Sequence, residues 1–238
     1  RQRQMCIRDS SKDVVSKMIA GEYTAQQAYR AFNARLLAEE TPADDEIVLT
    51  SGKSYSNVFH ANGGSASFSV MANTLRGVYG TDVLLATANS FTGSVLQADY
   101  NKKMAASMIM PNGLMSRQRT MTGAELKETL RAFVEGCEGG FVPFNRGSLP
   151  VASGITMEVK EAGGSYTLTG ITRNGQPLKD DDTVTVTCLA AEKQMEALLA
   201  SESGTSLDGD TWVKNRWRDY VSGGGAALAE PENYMTLR

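Results

Sequence analysis

The residues best suited to contact a small molecule lie in a polar loop that follows a continuous apolar run. Residues 82–87 (DVLLAT) are almost all apolar, which is typical of a strand buried on both faces. The next residues, 88–93 (ANSFTG), contain Asn89, Ser90 and Phe91 and end in a glycine. Polar, glycine-bearing loops held by a rigid strand often carry binding groups. We therefore predict a substrate-binding loop that contains these three residues.

A second candidate is a pair of arginines on a predicted strand, residues 114–121. Arg117 and Arg119 are separated by one residue, and alternate side chains of a strand project from the same face. Two guanidinium groups on one face would suit an anion, so Arg119 is a candidate substrate-binding residue. A solvent-exposed strand face explains the same spacing, and both interpretations stay open.

Other reactive residues do not form a catalytic or metal-binding motif. The acidic run at residues 180–182 lacks the alternating ligand spacing of a calcium loop and is typical of a solvated turn. Ser153 has no nucleophile-elbow motif and no suitable histidine partner. A dinuclear metal site needs several His and Asp ligands, whereas the sequence contains one histidine, His60. The chain is therefore expected to hold no catalytic residue, metal or cofactor.

Turn, cap and periodicity signals predict the elements around these candidates. A Pro-Asn-Gly turn at residues 111–113 precedes the strand at residues 114–121. Thr122 and Glu125 have the spacing of a capping box, and apolar residues follow at i, i+4, i+7 and i+8. We therefore predict a helix that ends at Gly136, where a glycine can adopt positive φ.

The remaining predicted elements intersperse helices with strands. Asn174-Gly175 predicts a two-residue turn of type I′, and the Gly/Pro-rich residues 139–154 predict a long ordered loop. The other predicted strands are residues 47–50, 155–159, 166–173 and 184–189, and the other predicted helices are residues 68–79, 190–200 and 210–221, the last with Trp212, Val213, Trp217 and Tyr220 on one face. This order indicates an α+β fold with a mixed sheet and packed helices.

Composition is ordinary for a globular protein and excludes some partners. The chain has 238 residues, of which 41% are hydrophobic and 21% are charged. Its net charge of −3 and its lack of a basic stripe argue against a nucleic-acid partner. No apolar run approaches the roughly 20 residues of a membrane-spanning helix.

The N-terminal residues differ from the rest of the chain. Residues 1–10 (RQRQMCIRDS) look like translated adapter sequence, so they are expected to be non-native and the protein to be truncated upstream. Residues 11–40 predict two amphipathic helices. They resemble the last helices of bacterial extracellular solute-binding proteins, with a simple helical hairpin as the alternative. Residues 41–46 predict a linker, which leaves residues 47–238 as the main domain.

This main domain resembles the C-terminal domain of the 5′-nucleotidase / UDP-sugar hydrolase family in the order of its motifs. The motifs are LRGVYG before DVLLAT, the Pro-Asn-Gly turn before MTGAELKETL, then LPVASGITMEV, and then ITRNGQPLKDDDTVTVTCL. Each motif alone is weak, but their shared order and spacing are fairly specific. The resemblance implies the α+β fold of that domain.

In that family, the N-terminal domain hydrolyses a phosphoester with two metals, and the C-terminal domain binds the nucleoside and helps to hold the phosphate. The resemblance therefore implies that the two divalent metals belong to a missing upstream domain. It also aligns Thr87 with a family asparagine, Thr92 with an arginine and Asn112 with a stacking aromatic residue. Without the guanidinium and the ring, the grip on a nucleotide should be weaker.

The family's second aromatic residue is also absent, since residues 188–194 (CLAAEKQ) lack the expected glycine pair, aspartate and ring. Two alternatives remain: an altered pocket around Asn89, Phe91, Asn112 and Arg119, or a site that has closed. The predicted substrate-binding residues are Asn89, Ser90, Phe91, Asn112, Gly113 and Arg119.

Three functions are compatible with these patterns. The first is a noncatalytic recognition domain of a larger bacterial envelope protein, outside the cell, with a nucleoside, nucleotide or sugar as ligand. The second is the specificity half of an active metal-dependent 5′-nucleotidase. The third is a structural spacer, which predicts no pocket. The missing arginine and aromatic equivalents favour the first.

Overall fold

The computed structural model describes residues 46–60, 64–109, 114–135, 150–163, 165–191, 205–206 and 211–238. Residues Ile47–Arg238 form one compact unit. The segments predicted at residues 1–10 and 11–40 lie outside the described residues, as does the predicted linker except for its last residue. Their assignments therefore stay predictions.

The described secondary structure mixes helices and strands along the chain. The helices are α1 (Ala66–Tyr79), α2 (Lys102–Ala106), α3 (Gly123–Glu135) and α4 (Val213–Ser222). The strands are β1 (Ile47–Ser51), β2 (Val83–Thr87), β3 (Ala98–Asn101), β4 (Leu114–Thr122), β5 (Pro150–Ser153), β6 (Thr156–Ala162), β7 (Ser165–Arg173), β8 (Gln176–Pro177), β9 (Thr183–Ala191), β10 (Thr205–Ser206), β11 (Thr211–Trp212) and β12 (Met235–Leu237).

The largest sheet is mixed and confirms the predicted α+β class. Its strand order is β10-β4-β9-β2-β5, and β11 also pairs with β4. β2 runs parallel to β9, whereas β4 is antiparallel to β9 and β5 is antiparallel to β2. Every residue of β2 is buried, as its apolar run predicts. β2 is therefore an inner strand, paired with β9 on one side and with β5 on the other.

Two smaller sheets complete the described fold. One has the order β12-β6-β7-β8, with β12 parallel to β6, and the other is the antiparallel pair β1-β3. The β7–β8 hairpin turns at Asn174 and Gly175, whose φ angles are 52° and 76°. A type I′ turn requires positive φ at both central residues, so the predicted turn is confirmed.

The capping box predicted before α3 is confirmed. The Thr122 N–H donates to Glu125 Oε2 at 2.7 Å, and the Glu125 N–H donates to Thr122 Oγ1 at 3.2 Å. The helix buries Leu126, Leu130 and Val134, as its periodicity predicts. Its predicted stop, Gly136, lies outside the described residues.

Three predicted boundaries are wrong because strand pairing overrides local signals. The end of β9, at Ala190 and Ala191, pairs with β4 where the sequence predicts a helix; residues 192–200 lie outside the described residues. Residues 150–153, predicted as loop, form β5 beside β2. The last helix begins at Val213 rather than at residue 210.

A carboxylate at the start of β2 is held by the neighbouring strands. Asp82 Oδ1 accepts a hydrogen bond from Arg173 Nη2 at 2.5 Å, and Oδ2 accepts from the N–H and the Oγ1–H of Thr185, each at 2.8 Å. Partial burial raises the pKa of Asp82. The hydrogen bonds from Thr185 and the charges of Arg173 and Arg76 outweigh that effect, so the pKa lies below its usual value.

We expect this carboxylate to stabilise the fold in a pH-dependent manner. A lowered folded-state pKa means that the stabilisation is complete above the unfolded value of about 4 and is lost as pH falls through the folded value. The stability difference between wild type and Asp82→Asn, measured by urea unfolding from pH 6 to pH 3, should therefore shrink. The exposed Asp181→Asn is the control. A difference that stays constant or grows at low pH would contradict this.

Candidate functional site

Four strand ends meet at one edge of the largest sheet. Thr87 ends β2 opposite Pro150, which begins β5. Leu114 begins β4 opposite Ala191, which ends β9. Because β2 and β9 are parallel neighbours, both pairs lie at the same edge. We call this edge, defined by these four residues, the carboxyl edge.

The predicted binding loop leaves β2 at the carboxyl edge and exposes one of its three candidate residues. Asn89 is exposed, Ser90 is fully buried, and Phe91 is 5% exposed. Ser90 Oγ accepts a hydrogen bond from the Thr87 N–H at 3.4 Å, so the loop folds back on its own strand. The Phe91 ring lies 6.1 Å from the Phe68 ring in the core. Asn89 is therefore the one of the three candidates whose side chain faces solvent.

Thr87 and Thr92, which the resemblance aligns with an asparagine and an arginine, form contacts within the protein. Thr92 Oγ1 donates to the carbonyl of Ser107 at 2.5 Å. Thr87 is buried, and its Oγ1 lies 3.4 Å from Ser90 Oγ. Neither hydroxyl supplies the charged, bidentate contact that a guanidinium gives to a phosphate.

The register of β4 separates Arg119 from the carboxyl edge. Arg119 pairs with Val186, five positions along the strand from Leu114, which corresponds to about 17 Å. Arg119 instead lies near the Cys188 thiol: burial raises the pKa of that thiol to about 12, and the Arg119 charge opposes the shift. The structure therefore does not bring Arg119 next to Asn89.

Sequence reasoning missed Trp212 at the carboxyl edge. The sequence places Trp212 on the apolar face of a helix with Trp217, but it belongs to β11 and pairs with Met115, the residue after Leu114. Trp212 is 50% exposed, whereas Trp217 is fully buried. No local signal distinguishes the two tryptophans, because the exposure of Trp212 depends on which strand β11 joins.

Asn112 and Gly113 lie outside the described residues, so their predicted role stays a prediction. Within the described ranges, no three His, Cys, Asp or Glu side chains are grouped as a metal site requires. In the same part of the chain, no helix has the length and apolar character needed to cross a membrane.

The comparisons with known proteins identify the fold. No family model and no curated protein matches the sequence. Among solved structures, the 5′-nucleotidase precursor from Thermus thermophilus covers 90% of this chain and 43% of its own, with a TM-score of 0.62 and 13% identity. The NAD nucleotidase from Haemophilus influenzae covers 91% and 42%, with a TM-score of 0.59 and 16% identity.

A third neighbour is the sulfate thiohydrolase from Thermus thermophilus, solved with glycerol. It covers 90% of this chain and 39% of its own, with a TM-score of 0.60 and 13% identity. The chain thus has the fold of the C-terminal domain of these proteins and spans about two fifths of their length. Because a nucleotidase and a thiohydrolase share this fold, the fold alone does not identify a ligand.

Proposed function

We propose that residues 47–238 form a noncatalytic ligand-recognition domain of a larger bacterial envelope protein, located outside the cell. The fold supports this proposal, because solved proteins with this fold contain a further part that this chain does not span. The single histidine is too few for a dinuclear hydrolase centre. Two divalent metals, if the whole protein uses them, belong to an upstream domain.

The exposed residues at the carboxyl edge are the observation that most strongly supports ligand recognition. This edge presents the exposed amide of Asn89 at one strand end and the exposed indole of Trp212 at another. β11, β4, β9 and β2 are successive neighbours, so Trp212 and Thr87 are three strand spacings, about 14 Å, apart. A nucleoside-sized molecule can bridge much of that distance, with its ring against the indole and a polar group at Asn89.

In its described residues, the same edge favours the nucleoside over its phosphate. Residues 87–92 carry no cation, and the two arginines of β4 lie along the strand from Leu114, Arg117 by about 10 Å and Arg119 by about 17 Å. A ligand here would be held by ring stacking and neutral hydrogen bonds rather than by a charge-assisted phosphate contact. We therefore propose a nucleoside as the preferred class, ahead of nucleotides and sugars.

The second candidate function is the specificity half of an active metal-dependent 5′-nucleotidase. The partial match to the solved nucleotidases favours this candidate, because those proteins are more than twice as long as the part of them that this chain matches. This candidate predicts that nucleotides bind better than nucleosides. A structural spacer, the third candidate, predicts that neither binds.

A thermal-shift screen of the full chain against nucleosides, nucleotides and sugars separates these functions. A ligand at about 100 times its dissociation constant stabilises the folded state by about 2.7 kcal/mol, which raises the unfolding midpoint measurably. We expect the largest shift with nucleosides. Asn89→Ala should reduce the shift, whereas Asp181→Asn, in an exposed turn outside the carboxyl edge, should not. A larger shift with nucleotides would favour the second candidate, and no shift would favour the spacer.

A further inference from the structure

A surface cavity of about 710 Å³, open to solvent, lies between α1, α4 and the segment that follows α4. Its walls include Val78 from α1, Tyr220 from α4 and Leu228 from the following segment. None of its lining residues belongs to the carboxyl edge. The volume is in the range of small-molecule pockets in proteins, about 300–1,000 Å³.

The polar groups in the deep wall of the cavity are already satisfied by the protein. Asn73 Nδ2 donates to the Glu230 carbonyl at 2.8 Å, and Thr74 Oγ1 accepts from the Ala229 N–H at 2.9 Å. The Tyr220 hydroxyl donates to the Ala227 carbonyl at 2.7 Å and accepts from its N–H at 3.0 Å. These groups have little capacity left for a ligand, so the wall offers mainly its apolar atoms.

The rim of the cavity contributes a cation that is held in place. The Arg216 guanidinium lies 5.8 Å from the centre of the Tyr79 ring, within the range of a cation–π contact. No carboxylate among the described residues forms an ion pair with Arg216. The rim acid, Asp219, is 74% exposed and pairs with Arg218 at 3.9 Å instead. Of the described residues that line the cavity, Arg216 is the one cation, so a negatively charged group on a ligand has its partner there.

Gly77 lines the cavity without a side chain. It lies within α1 and lines the cavity, and a Cβ added there would meet no atom within 4 Å. Its φ is not positive, so neither backbone conformation nor packing requires glycine. Glycine inside a helix is unfavourable relative to alanine. The glycine thus leaves space in the cavity, although the fold does not require a glycine at this position.

We propose that this cavity binds a small organic carboxylate whose apolar body packs against Val78, Tyr220 and Leu228 and whose carboxylate pairs with Arg216. The site is independent of the ligand proposed for the carboxyl edge. An Arg–carboxylate pair gives such a ligand an advantage over its neutral analogue, because two N–H groups can meet two oxygens.

The test uses three probes that differ only in their head group. Calorimetric titrations of the full chain with 4-phenylbutyrate, 4-phenylbutanol and 4-phenylbutylamine should show the carboxylate binding at least tenfold more tightly than the alcohol, and the amine most weakly. Arg216→Gln should abolish the preference for the carboxylate but retain the alcohol. Lys214→Gln, which removes a cation of the same helix outside the cavity lining, should change nothing.

A second variant separates filling of the cavity from loss of the fold. Gly77→Leu should abolish binding of all three probes while the unfolding midpoint stays at or above that of the wild type. Equal affinity for the carboxylate and the alcohol in the wild type would overturn the proposal, as would undiminished binding to Gly77→Leu. Absence of any binding at millimolar concentration would overturn it as well.

Discussion

Trp217→Ala should lower the free energy of unfolding by about 3–5 kcal/mol, the cost of truncating a large aromatic side chain in a core. Trp217 is fully buried, and its Nε1–H donates to the Ala105 carbonyl at 2.7 Å. The substitution removes the ring and also leaves that buried carbonyl without its donor, which adds to the cost. Urea unfolding followed by circular dichroism measures the effect.

Trp212→Ala is the matched control for this prediction. It removes the same side chain from a half-exposed position at the end of the short strand β11, so the loss should be smaller, about 1–1.5 kcal/mol. If both tryptophan substitutions cost the same, the assignment of one ring to the core and the other to the surface is wrong.

Gly123→Ala should also destabilise the fold, by about 2–3 kcal/mol, because it forces an atom into occupied space. A Cβ at residue 123 would lie within 1.9 Å of the Lys179 carbonyl oxygen and 3.3 Å from Leu178 Cγ. The backbones cannot simply separate, since the Gly123 N–H donates to the Asp182 carbonyl at 2.7 Å. This contact explains why a glycine stands in the TGAELKE motif.

Gly77→Ala is the control for the same glycine-to-alanine change. Its added methyl group meets no neighbour, and the helix gains propensity, so stability should rise by about 0.5–1 kcal/mol. Opposite signs for the two alanine variants in urea unfolding are the expected result. A neutral Gly123→Ala would mean that the start of α3 does not approach the 178–182 turn as closely as described.

The sequence predicted correctly those elements that depend on residues close together in the chain. The Thr122–Glu125 capping box, the Asn174-Gly175 turn and the buried strand β2 each depend on neighbouring residues in the chain, and all three are present. The strand β5 has no such signal, because proline and glycine around it resemble a loop. It becomes a strand through pairing with β2, a contact between distant segments.

The candidate site depends on register, which a single sequence does not reveal. Arg119 and Asn89 are both polar residues near strand ends in the sequence. The pairing of β4 with β9 places Leu114 at the carboxyl edge and Arg119 about 17 Å from it. Pairing of β11 with β4 brings Trp212 to that edge instead. The orientation of Phe91 into the core likewise depends on its contact with Phe68.

The most direct test of the proposed recognition function is a calorimetric titration of the full chain with adenosine. Asn89→Ala removes a hydrogen bond and Trp212→Ala removes a ring contact, each of about 1–1.5 kcal/mol. Each variant should therefore bind adenosine about tenfold more weakly than the wild type. Arg119→Gln should leave the affinity unchanged, because Arg119 lies away from the carboxyl edge. This pattern would place the nucleoside between the β2 loop and β11. Adenosine binding that is lost in Arg119→Gln but intact in the other two variants would contradict the account, and so would no binding at all.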